Sequence, residues 1–235
     1  MTHEVCILFA YHKVDKLTKY HFNLLKKSNP HHPVVPITDD VNQYLPETVD
    51  VKHYPDFWPK TNPWRRCDTM LYRWFLNRNV TAKRYILLEY DCRCTADVVR
   101  AYADVWNADL AARDFFTPGE LKDTRQGQYV PRQWHWFKEI PFFPAEDHEF
   151  VLGLAPLMGI LMSHQGLEAI VNMVSRRDIF CELRLATAAK KANLKLSEFP
   201  ESLKQTIWWD PHPKLIEKPG IYHSIKHQAY KKSGH

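Results

Sequence analysis

Glycine is scarce in this 235-residue sequence, with seven residues against sixteen prolines and eight tryptophans. This composition argues against a disordered chain or a repeat array, and we find no internal repeat or low-complexity tract. The chain is 45% hydrophobic and 13% aromatic. A sequence of this length and composition can bury a substantial core as one large domain or two small ones.

Long hydrophobic runs are also lacking. The longest, Phe150–Met162, is interrupted by Gly153, Pro156 and Gly159 and is too short to span a bilayer. The N-terminus has neither a basic region nor a small-residue cleavage site, which favours a first core strand over a signal peptide. We therefore expect no transmembrane segment and a cytoplasmic protein, bacterial or viral in a host cytoplasm, or one domain of a longer protein.

The cysteines give no disulfide framework, because they number five and are irregularly spaced. Cys92 and Cys94 lack a second pair at the spacing of a zinc site, so we interpret them as packing residues. The formal net charge of +5 is spread along the chain, without a dense basic block interleaved with aromatic residues. It suits an anionic small molecule at least as well as nucleic acid, and we expect no nucleic-acid partner.

Hydrophobic periodicity predicts alternating strands and helices in the first half of the chain. Strands are predicted at Glu4–Tyr11, Pro33–Thr38, Val49–Tyr54 and Arg84–Tyr90, and helices at Asp15–Lys27, from Asn62-Pro63 and from Thr95 to Val105. Short connections between them imply an α/β fold with a doubly wound, mostly parallel sheet flanked by helices. Later helices are predicted from Ser163 to about Val174 and from about Asp178 to Asn193.

Carboxylates follow two of the predicted strands. Asp39 closes the second strand, and Glu89 and Asp91 end the strand RYILLEYD. Ligands of such sheets bind at the carboxyl ends of the strands, and residues two apart on a strand face the same side. Glu89 and Asp91 would repel each other unless a cation lies between them, so Mg²⁺ or Mn²⁺ with a diphosphate is one interpretation. The other is that both are solvated at a loop entrance.

The strand with its carboxylate-x-Asp ending resembles the DxD motif of the GT-A fold glycosyltransferases, here written Glu89-Tyr90-Asp91. The resemblance implies a Rossmann-like, mostly parallel central sheet with a small acceptor-side subregion. It implies one domain over 1–235, with a nucleotide-binding half at 1–107 and an acceptor-binding, metal-binding half at 108–235. It also implies a UDP- or GDP-sugar donor, a carbohydrate or glycoconjugate acceptor, and Mn²⁺ or Mg²⁺ held by Asp91, with Glu89 on the metal, a ribose hydroxyl or neither.

Further segments carry the same resemblance on the nucleotide side. ILFAYHK looks like the first strand and turn beside the nucleotide, PITDD like the strand whose acid contacts the base or ribose, and WRRCDTMLYRWF like the helix before the DxD strand. The resemblance implies that donor-binding residues lie in these segments. They are Tyr11, Asp39 (or Asp40), Arg65 or Arg66, and Asp68.

Three later segments extend the resemblance. GLAPLMGILMS looks like the glycine-containing loop near the donor sugar, with Gly159 in it. FCELRLATAAKK resembles the region whose acid at a helix start is the base in inverting enzymes, which is Glu182 here; the helix N-terminus would favour its ionised form. KPGIYHSIKH resembles the C-terminal element that returns a histidine to the metal, with His223 as ligand and Lys226 on the diphosphate.

The stretch 115–148 is rich in proline and aromatic residues and has no clean periodicity, which is typical of a functional loop. Trp134, Trp136 and Phe137 in it would pack against sugar faces of the acceptor.

Three alternatives to an inverting, metal-dependent glycosyltransferase stay open. A sugar nucleotidyltransferase usually has a glycine-rich loop after the first strand, and AYHKVDK has no glycine. A metal-dependent nuclease could use Glu89 and Asp91 on nucleic acid. A non-catalytic carbohydrate-binding module would bind sugar through the tryptophan-rich loop without metal or nucleotide.

Overall fold

The computed structural model describes residues 2–39, 43–52, 65, 67–118, 134–207 and 218–225. The described strands are, in chain order, β1 (His3–Ala10), β2 (Val34–Thr38), β3 (Val49–Asp50), β4 (Ala82–Glu89), β5 (Arg93–Cys94), β6 (Leu110–Ala112), β7 (Asp114–Phe116), β8 (Gly153–Ala155), β9 (Leu161–Ser163), β10 (Leu196–Glu198) and β11 (Ile221–Tyr222). The described α-helices are α1 (Lys16–Ser28), α2 (Cys67–Leu76), α3 (Val98–Ala101), α4 (His164–Met173), α5 (Cys181–Lys191) and α6 (Glu201–Lys204).

Seven of these strands form one central sheet in the order β10-β6-β9-β4-β1-β2-β3. Strand β1 pairs in parallel with β2 and β4, β2 with β3, and β6 with β10. The central strands β1 and β4 are nearly continuous hydrophobic runs because both faces of the sheet are covered, as expected for parallel strands. The predicted α/β class with a mostly parallel sheet is confirmed.

The exception to the parallel order is β9, which runs antiparallel to both β4 and β6. Periodicity alone does not reveal a three-residue strand of this kind. Through β9, strands from the second half of the chain join the sheet that begins with β1, and the main hydrophobic core draws on residues from Val5 to Ile221.

Helix α1 shows how local sequence sets an element. The side chain of Asp15 accepts a hydrogen bond from the Thr18 N–H at 2.8 Å and caps the first turn. The helix buries Leu17, Phe22 and Leu25, and the last two belong to the main core. The spacing of Leu17, Tyr20 and Leu24 predicts the helix correctly but not its buried face, because Tyr20 is exposed and Leu24 is only half-buried. No helix in the described part of the chain combines the length and hydrophobicity needed to cross a membrane.

Three predicted elements differ in extent. The strand predicted at Val49–Tyr54 ends at Asp50 within the described residues. The helix predicted from Thr95 to Val105 is the single turn α3 followed by a 3-10 turn, Ala103–Val105. Between them Tyr102 is fully buried, and its hydroxyl donates to the Gly159 carbonyl at 2.6 Å, so packing fixes the chain where the helix was expected to continue. The loop predicted over 115–148 overlaps β7 at its start, contains the 3-10 helix His135–Phe142, and ends within a second 3-10 helix, Ala145–Phe150.

Candidate active site

Asp91 and His223 come together at the carboxyl end of β4. Strand β11 pairs antiparallel with β5, just after Asp91, and the Ile225 N–H donates to the Asp91 carbonyl at 2.9 Å. This pairing brings the chain beyond β11 back to β4, where His223 Nε2 lies 3.7 Å from Asp91 Oδ1. Both side chains are buried.

Cys92 completes a group of three potential metal ligands with Asp91 and His223. One ligand atom from each residue lies within 4.8 Å of the others, and all three residues are buried. Asp91 Oδ1 accepts no hydrogen bond from the described residues. A buried carboxylate oxygen without a donor is costly to leave unsatisfied, and a cation would satisfy it.

The electrostatics of this group oppose negative charge on the thiol. Burial, reinforced by the Asp91 carboxylate, raises the pKa of Cys92 well above its ordinary value. A cation binding to the sulfur would therefore compete with a proton, as thiol ligands generally require. Carboxylate, imidazole and thiolate together are a donor set that fits a divalent transition metal.

Glu89 lies outside this group, contrary to the prediction that it faces the same side as Asp91. Strand β4 ends at Glu89, and a turn closed by the Cys92 N–H on the Glu89 carbonyl at 2.9 Å carries Asp91 out of the strand. The alternation of a strand therefore does not apply across Glu89-Tyr90-Asp91. The Glu89 carboxylate instead lies close enough to Cys67 at the start of α2 to contribute to its raised pKa, after the hydrogen bond with Cys181 and burial.

The turn after β4 is supported by β1 and α1. Tyr90 packs edge-on against the His12 ring at 4.4 Å between centroids, and Lys13 Nζ lies 5.0 Å from its ring centre. His21, fully buried on α1, has its Nδ1 2.9 Å from the Tyr90 carbonyl. Burial lowers the pKa of His21, so its imidazole is neutral at pH 7. Burial and the nearby Asp91 and Glu89 carboxylates raise the pKa of Tyr90 to about 12, so its hydroxyl is neutral as well.

Glu182 lies in the first turn of α5, as the sequence predicted, but its ionisation is the opposite of the expected one. It is buried, and burial raises its pKa to about 8, although the Leu157 N–H donates to its Oε1 at 2.8 Å and favours the charged form. Desolvation therefore outweighs the hydrogen bond from Leu157. At neutral pH the Glu182 carboxyl is mostly protonated.

A short backbone path links Glu182 to β4. The Gly159 N–H donates to the Leu87 carbonyl of β4 at 2.7 Å, and the Leu87 N–H donates to the Ile160 carbonyl at 3.1 Å. Two residues before Gly159, Leu157 holds the Glu182 carboxyl. Gly159 has φ +84°, and a Cβ there would meet Ile207 at 3.0 Å, so the turn requires glycine. The predicted glycine loop thus connects the strand of the DxD-like motif with Glu182.

Two predicted nucleotide-binding residues lie at the ends of β1 and β2. Tyr11 is buried, and its hydroxyl is hydrogen-bonded to the Leu45 N–H at 3.2 Å and to Thr48 Oγ1 at 2.7 Å, so it anchors the chain between β2 and β3. Asp39 is partly exposed at the end of β2, with Arg73 Nη1 of α2 at 3.8 Å.

Asp68 and Arg65 are occupied by protein partners. Asp68 is fully buried, and both its oxygens contact the buried Arg184 guanidinium, so it joins α2 to α5 and does not line an open nucleotide pocket. Arg65 Nη2 lies 2.9 Å from both oxygens of the buried Glu139, and Arg65 Nε lies 3.6 Å from Asp178. The predicted Arg66 and Lys226, and the alternative Asp40, lie outside the described residues.

The two tryptophans predicted to bind the acceptor pack against other residues of the described chain. Trp136 is 9% exposed and stacks on Phe180, with 3.8 Å between ring centres. Trp134 lies over Gly153, where an added Cβ would come within 2.2 Å of its ring, and it stacks with Phe116. Phe180 thus covers one face of Trp136, while Trp134 stays partly exposed beside Gly153 and Phe116. Acceptor binding by these two residues stays a prediction.

Sequence reasoning missed Cys92, His21 and Glu139. Cys92 directly follows Asp91, which was the available signal, but a buried packing cysteine has the same appearance in sequence. Glu139 Oε2 accepts from the Phe180 N–H at 2.8 Å and so satisfies the start of α5, although no local motif links it to that helix.

No protein-family model and no curated protein matches the chain. Among solved structures, the bifunctional IspDF from Campylobacter jejuni is similar over 93% of this chain at 10% identity, with a TM-score of 0.46. The glycosyltransferase GlyE of Streptococcus pneumoniae TIGR4 is similar over 97% at 15% identity, with a TM-score of 0.45. The chain spans 55% of the length of each of these proteins. The galactosyltransferase LgtC, in complex with donor and acceptor sugar analogues, is similar over 82% of this chain and 72% of its own, at 8% identity and a TM-score of 0.34. Identities and TM-scores this low do not assign an activity, which has to come from the residues of the site.

Proposed function

We propose that the chain is a metal-dependent glycosyltransferase that moves a sugar from a nucleotide-sugar donor to an acceptor hydroxyl. The observation that carries the proposal is the convergence of Asp91, Cys92 and His223 at the carboxyl end of β4, beside the end of β1. That edge of a parallel sheet is where ligands bind. The motif Glu89-Tyr90-Asp91 at this place is the one that resembles the DxD motif.

A divalent cation is the group that these residues would hold. When bound, it supplies positive charge to the diphosphate of the donor and so stabilises the leaving group. Two observations fit such a cation. Asp91 Oδ1 accepts no hydrogen bond from the described residues, and the ligand atoms of Asp91, Cys92 and His223 lie close together. Because Cys92 adds a sulfur donor, we expect Zn²⁺, Co²⁺ or Mn²⁺ to bind more tightly than Mg²⁺.

Glu182 is the residue we propose to accept the proton of the acceptor hydroxyl. The Leu157 N–H donates to one carboxylate oxygen, and we assign the uptake of the proton to the other. A single displacement with such a base inverts the anomeric configuration. Because the pKa of Glu182 is raised to about 8, the ionised base becomes more abundant as pH rises. Turnover should therefore increase from pH 6 and level off above about pH 8.

Other residues would bind the donor. We assign contact with a ribose or base to Asp39, which is partly exposed and lies near Arg73. Glu89 lies outside the group of Asp91, Cys92 and His223, so we assign it to a ribose hydroxyl of the donor and not to the cation. Lys226 and Arg66 are proposed for the diphosphate on the resemblance alone.

A thermal-shift panel tests the proposal. Nucleoside diphosphates and nucleotide-sugars are added with and without Zn²⁺, Mn²⁺ or Mg²⁺, and a ligand at a hundredfold excess over its Kd stabilises the folded state by about 2.7 kcal/mol. We expect one base to raise the Tm only when a cation is present. If no nucleotide stabilises the protein with any of the three cations, the proposal fails.

Variants then separate binding from chemistry. Asp91→Ala should abolish the cation-dependent shift, whereas Asp104→Ala, at an exposed acid on the 3-10 turn after α3, should keep it. Glu182→Gln should keep donor binding and lose at least 100-fold in turnover (on the order expected for a general base). Full activity in Asp91→Ala would contradict the metal assignment, and full activity in Glu182→Gln would contradict the base.

A further inference from the structure

Two cysteines from distant parts of the chain lie in contact. Cys67 begins α2 and Cys181 begins α5, and their Sγ atoms are 3.3 Å apart. Neither cysteine is in a disulfide; Cys67 is partly exposed, and Cys181 is buried. We propose that Cys67 and Cys181 form a reversible disulfide, which makes this pair a site of oxidative modification next to the candidate base.

The distance between the thiols suits this bond. A disulfide requires the sulfur atoms to approach to about 2.0 Å, so the gap to close is small enough for side-chain rotation with little movement of the helices. The helices are already held together one residue beyond Cys67, where Asp68 forms its buried ion pair with Arg184 of α5. The reduced pair is therefore prepositioned by contacts that do not involve sulfur.

The charges around the pair connect it with the candidate site. The pKa of Cys67 is raised well above its ordinary value by the hydrogen bond with Cys181 and by burial, and the Glu89 carboxylate contributes. Burial raises the pKa of Cys181, and Asp68 and Glu182 contribute. Both thiols are therefore protonated at neutral pH, and thiol–disulfide exchange should be slow but should quicken as pH rises.

The oxidant that we assign is a small-molecule disulfide of the glutathione type. The more exposed Cys67 gives up its proton and attacks one sulfur of that disulfide, which releases one small thiolate and leaves a mixed disulfide on Cys67. Cys181 then attacks the Cys67 sulfur and releases the second small thiolate. The two thiolates take up the two protons, so two cysteine thiols are oxidised and one small disulfide is reduced to two thiols.

Bond formation should restrain the first turn of α5, where Glu182 follows Cys181 directly. In the reduced protein, the Leu183 and Arg184 amides bond to the Phe180 carbonyl at 3.0 and 2.9 Å. We expect amide hydrogen exchange of this turn to slow at least threefold on oxidation. The thiol pair can be oxidised whatever reaction the chain catalyses, so failure of the proposed glycosyl transfer would leave this inference standing.

The experiment uses the full native chain. It is incubated with oxidised glutathione at pH 8.5, denatured, alkylated, digested and analysed by mass spectrometry. We expect three alkylated cysteines instead of five, because two of the five are joined, and a cross-linked peptide containing positions 67 and 181. Reduction with dithiothreitol before alkylation should restore five alkylated cysteines.

Matched variants assign the bond. Cys67→Ser should abolish the cross-link, whereas Cys6→Ser, at a buried cysteine of β1, should retain it. The cross-linked peptide of the unmodified chain decides the question even if Cys67→Ser does not fold. Five alkylated cysteines after oxidation, a glutathione adduct that persists on Cys67, or a cross-link between other cysteines would each overturn the proposal.

Discussion

The raised pKa of Glu182 predicts that replacing this residue changes how stability depends on pH. Glu182→Gln keeps a side chain of the same shape and an oxygen that can accept the Leu157 N–H, but it cannot ionise. In the unmodified chain, unfolding exposes the carboxyl and returns its pKa to about 4.5, against about 8 in the folded protein. The substitution therefore removes one proton-linked contribution and little else.

The sign of this contribution follows from where the proton is bound. Between pH 4.5 and about 8 the folded state holds a proton that the unfolded state has released, so stability decreases as pH rises through this range. A tenfold change in proton affinity corresponds to about 1.4 kcal/mol, which makes the full difference about 5 kcal/mol. Of this, about 2.5 kcal/mol is lost between pH 6 and pH 9, because the folded carboxyl ionises within that interval.

Urea unfolding at pH 6 and pH 9 measures this loss. We expect the free energy of unfolding of the unmodified chain to fall by about 2.5 kcal/mol more than that of Glu182→Gln, since other titrating groups contribute equally to both. Glu168→Gln, at an exposed position of α4, serves as the control and should follow the unmodified chain. Parallel pH dependence of the unmodified chain and Glu182→Gln would refute the reasoning that burial holds Glu182 protonated.

Two further substitutions test the contacts that hold the site. Asp68→Asn leaves the Arg184 charge buried without its counter-ion, so the free energy of unfolding in urea should fall by about 3–5 kcal/mol. Replacing both residues by apolar ones of similar volume should recover most of this loss. A loss below about 1 kcal/mol for Asp68→Asn would contradict this account. Gly159→Ala places a Cβ on a residue with φ +84°, 3.0 Å from Ile207, so we expect the free energy of unfolding in urea to fall by about 1–3 kcal/mol. An unchanged free energy of unfolding would show that the turn relaxes around the added methyl group.

The parts of the fold that could be predicted are those that local patterns specify. Strands β1, β2 and β4 are hydrophobic runs bounded by polar residues, and α1 has both an amphipathic stripe and an Asp15 cap. Strands of three residues, such as β6, β7 and β9, carry too few residues to show a period. Their pairing depends on contacts across the sheet, as the antiparallel insertion of β9 between β4 and β6 shows.

The candidate site divides in the same way. The sequence pointed to Asp91 and His223 through a resemblance, and the structure brings them together through the pairing of β5 with β11. It could not separate Cys92 from an ordinary packing cysteine, because a metal ligand is recognised by the other ligand atoms around it, here those of Asp91 and His223. It also placed Glu89 beside Asp91, because the turn that parts them is set by the Cys92 amide and not by strand alternation.

Glu182 shows why the chemistry of a residue depends on tertiary contacts even where its position is predictable. A glutamate in the first turn of a helix is normally stabilised in its charged form. Here the buried Glu139 accepts a hydrogen bond from the Phe180 N–H just before α5. One turn later, the ion pair between Asp68 and Arg184 fixes the helix. These contacts come from segments distant in sequence, and together they hold the first turn of α5 inside the protein. Water is thereby removed from the Glu182 carboxyl, and this loss of solvation, which no local pattern encodes, decides its protonation state.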